Sequence, residues 1–237
     1  MKTVLIVFCT VFMIGLISSN AAIYDDFNDN SLDLSKWEVE TDAEATINEV
    51  GGRIELSILP AASGDEFGAG IESTLMFTGD FDIQVDFSLV SWPDDHGVRS
   101  SLEVGSDSGE VFIERSASSP LGYFPERYYM GGDGLLPGSV STSDDSGMLR
   151  IQRLGDVITG YYFDTDAGWQ VISTYRNDEV GFDAGESLSL SLHVWSHTSP
   201  PFFNPGGQPV IVAFDNVSRT GTDVPPGKAT LISPSGT

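Results

Sequence analysis

Carboxylates are the side chains whose number and spacing most invite a chemical interpretation in this sequence. The chain of 237 residues contains 35 Asp and Glu against 11 Lys and Arg. Cleavage of a glycosidic bond needs two carboxyl groups about 5–9.5 Å apart that flank the bond. Asp82 and Asp86 share one face of a predicted strand, but the strand rise separates them by about 13 Å. Glu103 and Glu114 meet only if their strands are neighbours, so a solvated acidic face is the simpler interpretation.

Other reactive constellations are not indicated. The three histidines fall in or beside predicted loops or face out of a strand, and no Gly-x-Ser-x-Gly turn is present for a nucleophilic serine. The only cysteine is Cys9, so a zinc site is not expected. The formal net charge of −24 argues against nucleic acid and against an anionic membrane surface, because both need a basic patch.

The first 22 residues have the organisation of a signal peptide. Lys2 precedes an apolar run from Val4 to Ile17, and small residues allow cleavage after Ala21 or Ala22. The run is shorter than the ~20 residues that a membrane-spanning helix needs, so membrane insertion is not expected. The sequence therefore predicts a secreted, cysteine-free mature protein.

Strict alternation of apolar and polar residues predicts an all-β fold for residues 23–220. Phe81–Val90 and Ser187–Ser196 are the clearest strands, since every second residue is apolar. Leu149–Tyr175 predicts three consecutive antiparallel strands. Many short strands separated by turn residues are typical of a two-sheet antiparallel sandwich. Trp37 and Trp169 are expected in its core.

Residues 221–237 predict a linker and the start of a further module. Proline and glycine dominate the first part, and a short apolar stretch followed by Ser-Pro-Ser-Gly ends the chain. That ending is similar to the opening of the immunoglobulin-like repeats of large bacterial surface proteins. Further domains of the same chain are therefore expected, and a flexible tail is the alternative.

Several strand-and-turn motifs together resemble the concanavalin A-like lectin/glucanase superfamily, in its laminin-G-like bacterial branch. They are Asp25–Trp37, Gly51–Leu56, Gly79–Phe87, Leu149–Arg153 and the Phe-Asp-Asn-Val run at 214–217. The resemblance covers residues 23–220 and implies a jelly-roll sandwich. It implies little about function, because one fold hosts lectins, glycosidases, lyases and adhesion domains.

The resemblance also suggests where chemistry would lie. Family-16 glucanases of this fold carry their acids on one strand as Glu-x-Asp-x-Glu, and the sequence contains no such run. Relatives often hold a structural calcium ion near their first and last strands. Oxygen ligands suit calcium, so the candidate ligands are Asp25, Asp26, Asn28 and Asp215. Hydrogen bonding within turns is an equally good interpretation of these residues.

A glycan is the expected partner. Sugars stack on aromatic rings, and their hydroxyl groups form hydrogen bonds with planar polar side chains. The candidate glycan-binding residues face outward on predicted strands: Gln84, Asp86, Arg99, Glu103, Gln152, His193 and Trp195. They form one site only if their strands lie in the same sheet.

The sequence alone favours a secreted, non-catalytic carbohydrate-binding or adhesion module of a larger extracellular protein. One alternative is a polysaccharide-active hydrolase or lyase that pairs Asp86 with Glu103 or Glu114. Another is a structural spacer. A close carboxylate pair on the concave face, with one raised pKa, would favour the enzyme.

Overall fold

A computed structural model describes residues 22–42, 45–59, 66–93, 97–119, 122–183, 185–197 and 209–224. Residues 1–21 of the predicted signal peptide lie outside this part, as do residues 225–237 of the predicted linker and module. Within the described residues, no helix has the length and apolar character needed to cross a membrane.

Strands dominate the described residues. The first half contains β1 (Ala22–Asp25), β2 (Trp37–Thr41), β3 (Ala45–Glu49), β4 (Ile54–Ile58), β5 (Glu66–Ser73), β6 (Met76–Thr78), β7 (Phe81–Ser91), β8 (Arg99–Ser106) and β9 (Gly109–Ser116). The second half contains β10 (Arg127–Gly131), β11 (Gly138–Ser141), β12 (Ser146–Leu154), β13 (Val157–Asp164), β14 (Gly168–Arg176), the short helix α1 (Asn177–Val180), β15 (Ser189–His197), β16 (Val210–Arg219) and β17 (Thr222–Val224).

Two large antiparallel sheets form a jelly-roll sandwich, as the sequence predicts. Sheet A has the order β14-β13-β12-β7-β16-β4-β3, and β1 also pairs with β16. Sheet B has the order β11-β10-β9-β8-β15-β5-β2. A small third sheet joins β17 to β6. Residues 222–224 therefore pair with the sandwich, although the sequence assigns them to a linker.

The core lies between the two sheets and is formed by alternate residues of each strand. In β7, Phe81, Ile83, Val85 and Phe87 are buried, while the residues between them face out. Trp37 is buried, as expected from the sequence, and its ring contacts those of Tyr24 and Phe27 at the start of the chain. The outer face of each sheet is thereby left to polar and aromatic side chains.

The predicted meander of β12, β13 and β14 is confirmed. Gly155 has a φ of 58° in the turn between β12 and β13, a backbone conformation that glycine adopts without steric cost. β12 pairs on its other side with β7, with Arg150 opposite Gln84. This arrangement places the whole meander in sheet A, on the opposite side of the sandwich from β8, β9 and β15.

Candidate active site

The outer face of sheet B forms the floor of a cleft of about 780 Å³. Glu103, Phe112, Glu114, His193 and Trp195 are among its lining residues. A second cavity of about 430 Å³ adjoins it and shares Glu103, Glu110 and His193 with it. The two cavities therefore form one groove that runs across the face of the sheet.

The β8–β9 hairpin supplies the carboxylates of this groove. Glu103 lies directly opposite Phe112, while Glu114 lies opposite Ser101 and Glu110 opposite Gly105. Glu103 is therefore the diagonal neighbour of both other glutamates, at a Cα separation of about 7–8 Å. Glu110 and Glu114 lie on one strand about 13 Å apart. Glu103 is the central carboxylate of the three.

Glu114 is the most deeply placed acid, with 3% of its surface exposed. Burial and the charge of Glu103 raise its pKa to about 7, while Arg99, the hydrogen bond from Ser116 and Arg127 act in the opposite direction. Arg99 Nε lies 3.5 Å from Glu114 Oε2, and Ser116 Oγ donates to the same oxygen at 3.3 Å. A carboxyl group with such a pKa retains its proton over part of the neutral range.

Glu103 accepts a hydrogen bond from Ser101 Oγ at 2.6 Å. The same oxygen lies 3.9 Å from His193 Nδ1 on the neighbouring strand β15. Glu110 occupies the other end of the hairpin, where burial and then the charges of Glu103 and Asp133 raise its pKa, while His193 lowers it. Glu103 is thus hydrogen-bonded from its own strand and faces an imidazole from the next.

Two glycines of β5 make room for the largest side chains of the floor. A Cβ at Gly70 would lie 2.5 Å from His193 Cδ2, and a Cβ at Gly68 would lie 3.0 Å from Trp195 Cβ. A distance of 2.5 Å is closer than real Cβ atoms come to other atoms. The His193 ring therefore lies over β5 because that strand has no side chain at Gly70.

Cations stack on aromatic rings at one end of the cleft. The guanidinium carbon of Arg99 lies 4.4 Å from the centre of the Trp195 ring. The guanidinium carbon of Arg127 lies 4.1 Å from the ring centre of Phe124 and 4.6 Å from that of Tyr129. All three distances fall within the range of a cation–π contact.

The structure divides the predicted glycan-binding residues between two faces. Arg99, Glu103, His193 and Trp195 meet on sheet B. Gln84, Asp86 and Gln152 face out from sheet A. The predicted pairing of Asp86 with Glu103 or Glu114 is therefore wrong, because the whole sandwich separates them. Glu103 and Glu114 lie on the neighbouring strands β8 and β9, and Glu114 is buried, so the solvated acidic face that the sequence favoured does not describe Glu114.

The outer face of sheet A holds a network centred on Asp82. Its carboxylate accepts hydrogen bonds from Arg150 Nε at 2.8 Å, Gln84 Nε2 at 3.2 Å and Gln152 Nε2 at 3.1 Å. Trp169 lies on this face, with its ring centre 5.5 Å from the Arg150 guanidinium carbon. The expectation that Trp169 belongs to the core is wrong, because it is paired with the outward-facing Phe163 of β13.

The predicted calcium ligands do not come together as a set. Asp25 is engaged by Trp37 Nε1 at 2.8 Å, by the Phe27 amide at 3.2 Å and by Lys36 Nζ at 3.4 Å. Asn28 Oδ1 lies against Gly52 instead. Among the described residues, no group of three or more His, Cys, Asp or Glu is arranged to hold a metal ion. Donors of the protein thus already contact both oxygens of the Asp25 carboxylate.

Asp215 remains the best-placed of the predicted ligands. Burial raises its pKa, and so do the charges of Asp86 and Asp26, which lie nearby. β1 and β16 are neighbours, as the resemblance implies, with Ala22 opposite Arg219. Calcium binding at this edge stays a prediction.

Glu110 is a site residue that the sequence analysis missed. Glu110-Val-Phe-Ile-Glu114 matches the glucanase pattern Glu-x-Asp-x-Glu except that Phe112 replaces the central acid. A search for two glutamates four residues apart on a strand would have found it. The structure places Glu103 opposite Phe112, so a carboxylate from β8 lies beside the position where the pattern has its aspartate.

The chain matches no protein-family profile and no curated protein sequence. Solved structures with a similar fold are mostly glucanases and other glycoside hydrolases. The catalytic domain of an endo-1,3-β-glucanase (laminarinase) from Thermotoga petrophila RKU-1 aligns with a TM-score of 0.63 at 15% identity, over 84% of this chain and 96% of that one.

Two further structures show the range of proteins that share the fold. An endo-acting O-glycanase of the human gut microbiota, which initiates mucin breakdown, aligns with a TM-score of 0.66 at 14% identity over 86% of this chain and 100% of that one. Rv0315 of Mycobacterium tuberculosis, an immunostimulatory antigen and pseudo β-1,3-glucanase, aligns with a TM-score of 0.64 at 13% identity, over 85% and 99%.

These structures correct the functional expectation from the sequence. The interpretation as a non-catalytic binding or adhesion module is contradicted, because the proteins of similar fold are predominantly glycoside hydrolases. The enzyme alternative agrees better with them. At these identities the likeness establishes the fold alone, a jelly-roll sandwich that this chain shares with those structures.

Proposed function

We propose that the protein is a secreted glycoside hydrolase that cleaves a polysaccharide in the cleft on sheet B. Glu114 is the general acid, and Glu103 is the carboxylate on the other side of the scissile bond. The observation that carries this proposal is the buried Glu114, with a pKa near 7, one diagonal step from Glu103 on the cleft floor.

The different surroundings of the two carboxyl groups suit the two roles. Burial keeps Glu114 protonated, so that it is able to donate its proton to the glycosidic oxygen as the bond breaks. Glu103 accepts a hydrogen bond from Ser101 and faces His193, which suits a carboxylate that is held in place to stabilise or attack the sugar carbon.

The shape of the groove supports cleavage within a chain. The two adjoining cavities extend on both sides of Glu103, so sugars are able to bind on either side of the cleaved bond. Trp195 and Phe112 offer aromatic surface to sugar rings. The endo-acting glucanase and O-glycanase of the same fold support a glycan substrate.

The test is release of reducing ends from a panel of soluble polysaccharides by the purified full-length protein. Glu114→Gln and Glu103→Gln should each lower the rate by about 10²–10⁴-fold, the usual contribution of a positioned acid or base. Asp86→Asn, on the opposite face, is the matched control and should leave the rate unchanged. A wild-type protein that binds glycans of the panel without releasing product would overturn the proposal.

A further inference from the structure

Arg99, Trp195 and Glu114 form a continuous chain of contacts across three strands. Arg99 of β8 lies directly opposite Trp195 of β15 and directly opposite Ser116 of β9. Glu114 is therefore the diagonal neighbour of Arg99, and the Arg99 guanidinium lies between the Trp195 ring and the Glu114 carboxyl group.

We propose that Trp195 is a positioning residue, which acts through Arg99 to hold Glu114 in its catalytic orientation. This inference rests on the proposed function, since it takes Glu114 as the general acid. It assigns to Trp195 a role beyond sugar stacking. The ring holds the guanidinium, and the guanidinium holds the acid.

Burial makes this contact strong enough to matter. The side chains of Arg99 and Glu114 are 12% and 4% exposed. A cation–π contact is stronger when it is desolvated than when it is exposed to water. Removal of the ring would free the guanidinium to change rotamer, and the carboxyl group would lose its fixed partner.

The charged groups around Glu114 determine the sign of the expected effect. Arg99 and Arg127 lower its pKa, from β8 and β10, while burial and the charge of Glu103 on β8 raise it. On β15, His193 faces Glu103. If Arg99 is lost or displaced, the pKa of Glu114 rises, and the alkaline limb of the pH–rate profile moves to higher pH.

Sugar stacking and positioning make different predictions for Trp195→Ala. If the ring only binds sugar, its removal raises KM and leaves the pH profile of kcat in place. If the ring acts through Arg99, its removal also lowers kcat and shifts the alkaline limb of the profile to higher pH. Trp195→Phe retains an aromatic face and should preserve most of kcat.

The experiment compares Trp195→Ala, Trp195→Phe, Arg99→Met and Arg99→Lys in the full chain, with thermal unfolding as a check on folding. Arg99→Met and Trp195→Ala should each lower kcat about 10-fold or more and shift the alkaline limb upward by about half a pH unit or more. Arg99→Lys keeps the charge and should shift the limb less. The kcat of the Trp195→Ala/Arg99→Met double variant should be no lower than the kcat of Arg99→Met alone.

Carboxyl ¹³C NMR titration of Glu114 provides a readout that needs no substrate. Its midpoint should rise in Arg99→Met and in Trp195→Ala but not in Trp195→Phe. A change in KM alone, with an unmoved Glu114 titration in Trp195→Ala, would show the inference to be wrong. A wild-type protein that hydrolyses no glycan would defeat the proposed function instead, and the titration would still decide whether Trp195 acts on Glu114.

Discussion

The two outer faces of the sandwich are built from similar residues but differ in how their charges are satisfied. On sheet A, Asp82 is surrounded by donors from Arg150, Gln84 and Gln152. On sheet B, Glu114 is buried with a raised pKa beside the like-charged Glu103. A network in which every acid has donors stabilises the fold, whereas an acid whose charged form is disfavoured is poised to transfer a proton.

The largest expected effect separates the two faces by activity. Glu114→Gln should lower the rate of hydrolysis by about 10²–10⁴-fold, while Asp82→Asn should leave the rate unchanged. Asp82→Asn should instead lower the free energy of unfolding by about 1–3 kcal/mol, because Arg150 loses its charged partner. Reducing-end assays and urea denaturation of both variants measure the two quantities. Equal activity losses in the two variants would erase the contrast.

The second prediction concerns the pH dependence of stability. The pKa of Glu114 is raised in the folded state, so the folded protein binds its proton more tightly than the unfolded chain does. This stabilisation is fully present below the ordinary pKa of glutamate and is lost as the pH rises through about 7. It is on the order of 3 kcal/mol. Glu114→Gln should flatten the dependence of the free energy of unfolding on pH. Urea denaturation between about pH 4.5 and about pH 8, a range that includes both pKa values, measures this dependence.

The third prediction tests the part of the cleft floor where Gly70 of β5 lies under the His193 ring. Gly70→Ala places a Cβ 2.5 Å from His193 Cδ2 and displaces the imidazole that faces Glu103, which should lower kcat/KM by about 10- to 100-fold. Gly105→Ala is the matched control on the same face, since its nearest neighbour, Glu110 Cβ, would lie at an ordinary 3.4 Å. Similar kinetics for the two variants would show that the placement of His193 over β5 is unimportant.

The smallest expected effect belongs to sheet A. Gln84→Ala removes one of several donors to Asp82, so the free energy of unfolding should fall by about 1 kcal/mol or less. Activity should not change. A loss of activity in this variant would show that the network on sheet A influences the cleft after all.

The fold was predictable because burial leaves a local record. Alternation in Phe81–Val90 and Ser187–Ser196 reports which side of each strand faces the core, and the turn at Gly155 reports where the chain reverses. Each of these signals is contained within a few neighbouring residues. They predict strands, turns and the two-sheet architecture without any knowledge of distant contacts.

The composition of the site was less predictable because alternation does not say which sheet a strand joins. Gln84 and Glu103 follow the same outward pattern, yet β7 lies in sheet A and β8 in sheet B. Strand order depends on contacts distant in sequence, such as Glu103 with Ser191. Glu110 was missed for a different reason, since Phe112 interrupts the pattern that was sought.

The charged residues of the β8–β9 hairpin also affect the register in which its two strands pair. Arg99, Glu103, Glu110 and Glu114 all project from one side of two strands joined by a tight turn at residues 107–108. A slip of one residue in either strand would turn its charged side chains toward the apolar core, where unpaired charges are costly. The groups proposed for catalysis therefore also disfavour one-residue slips of this hairpin during folding, because such a slip would bury their charges.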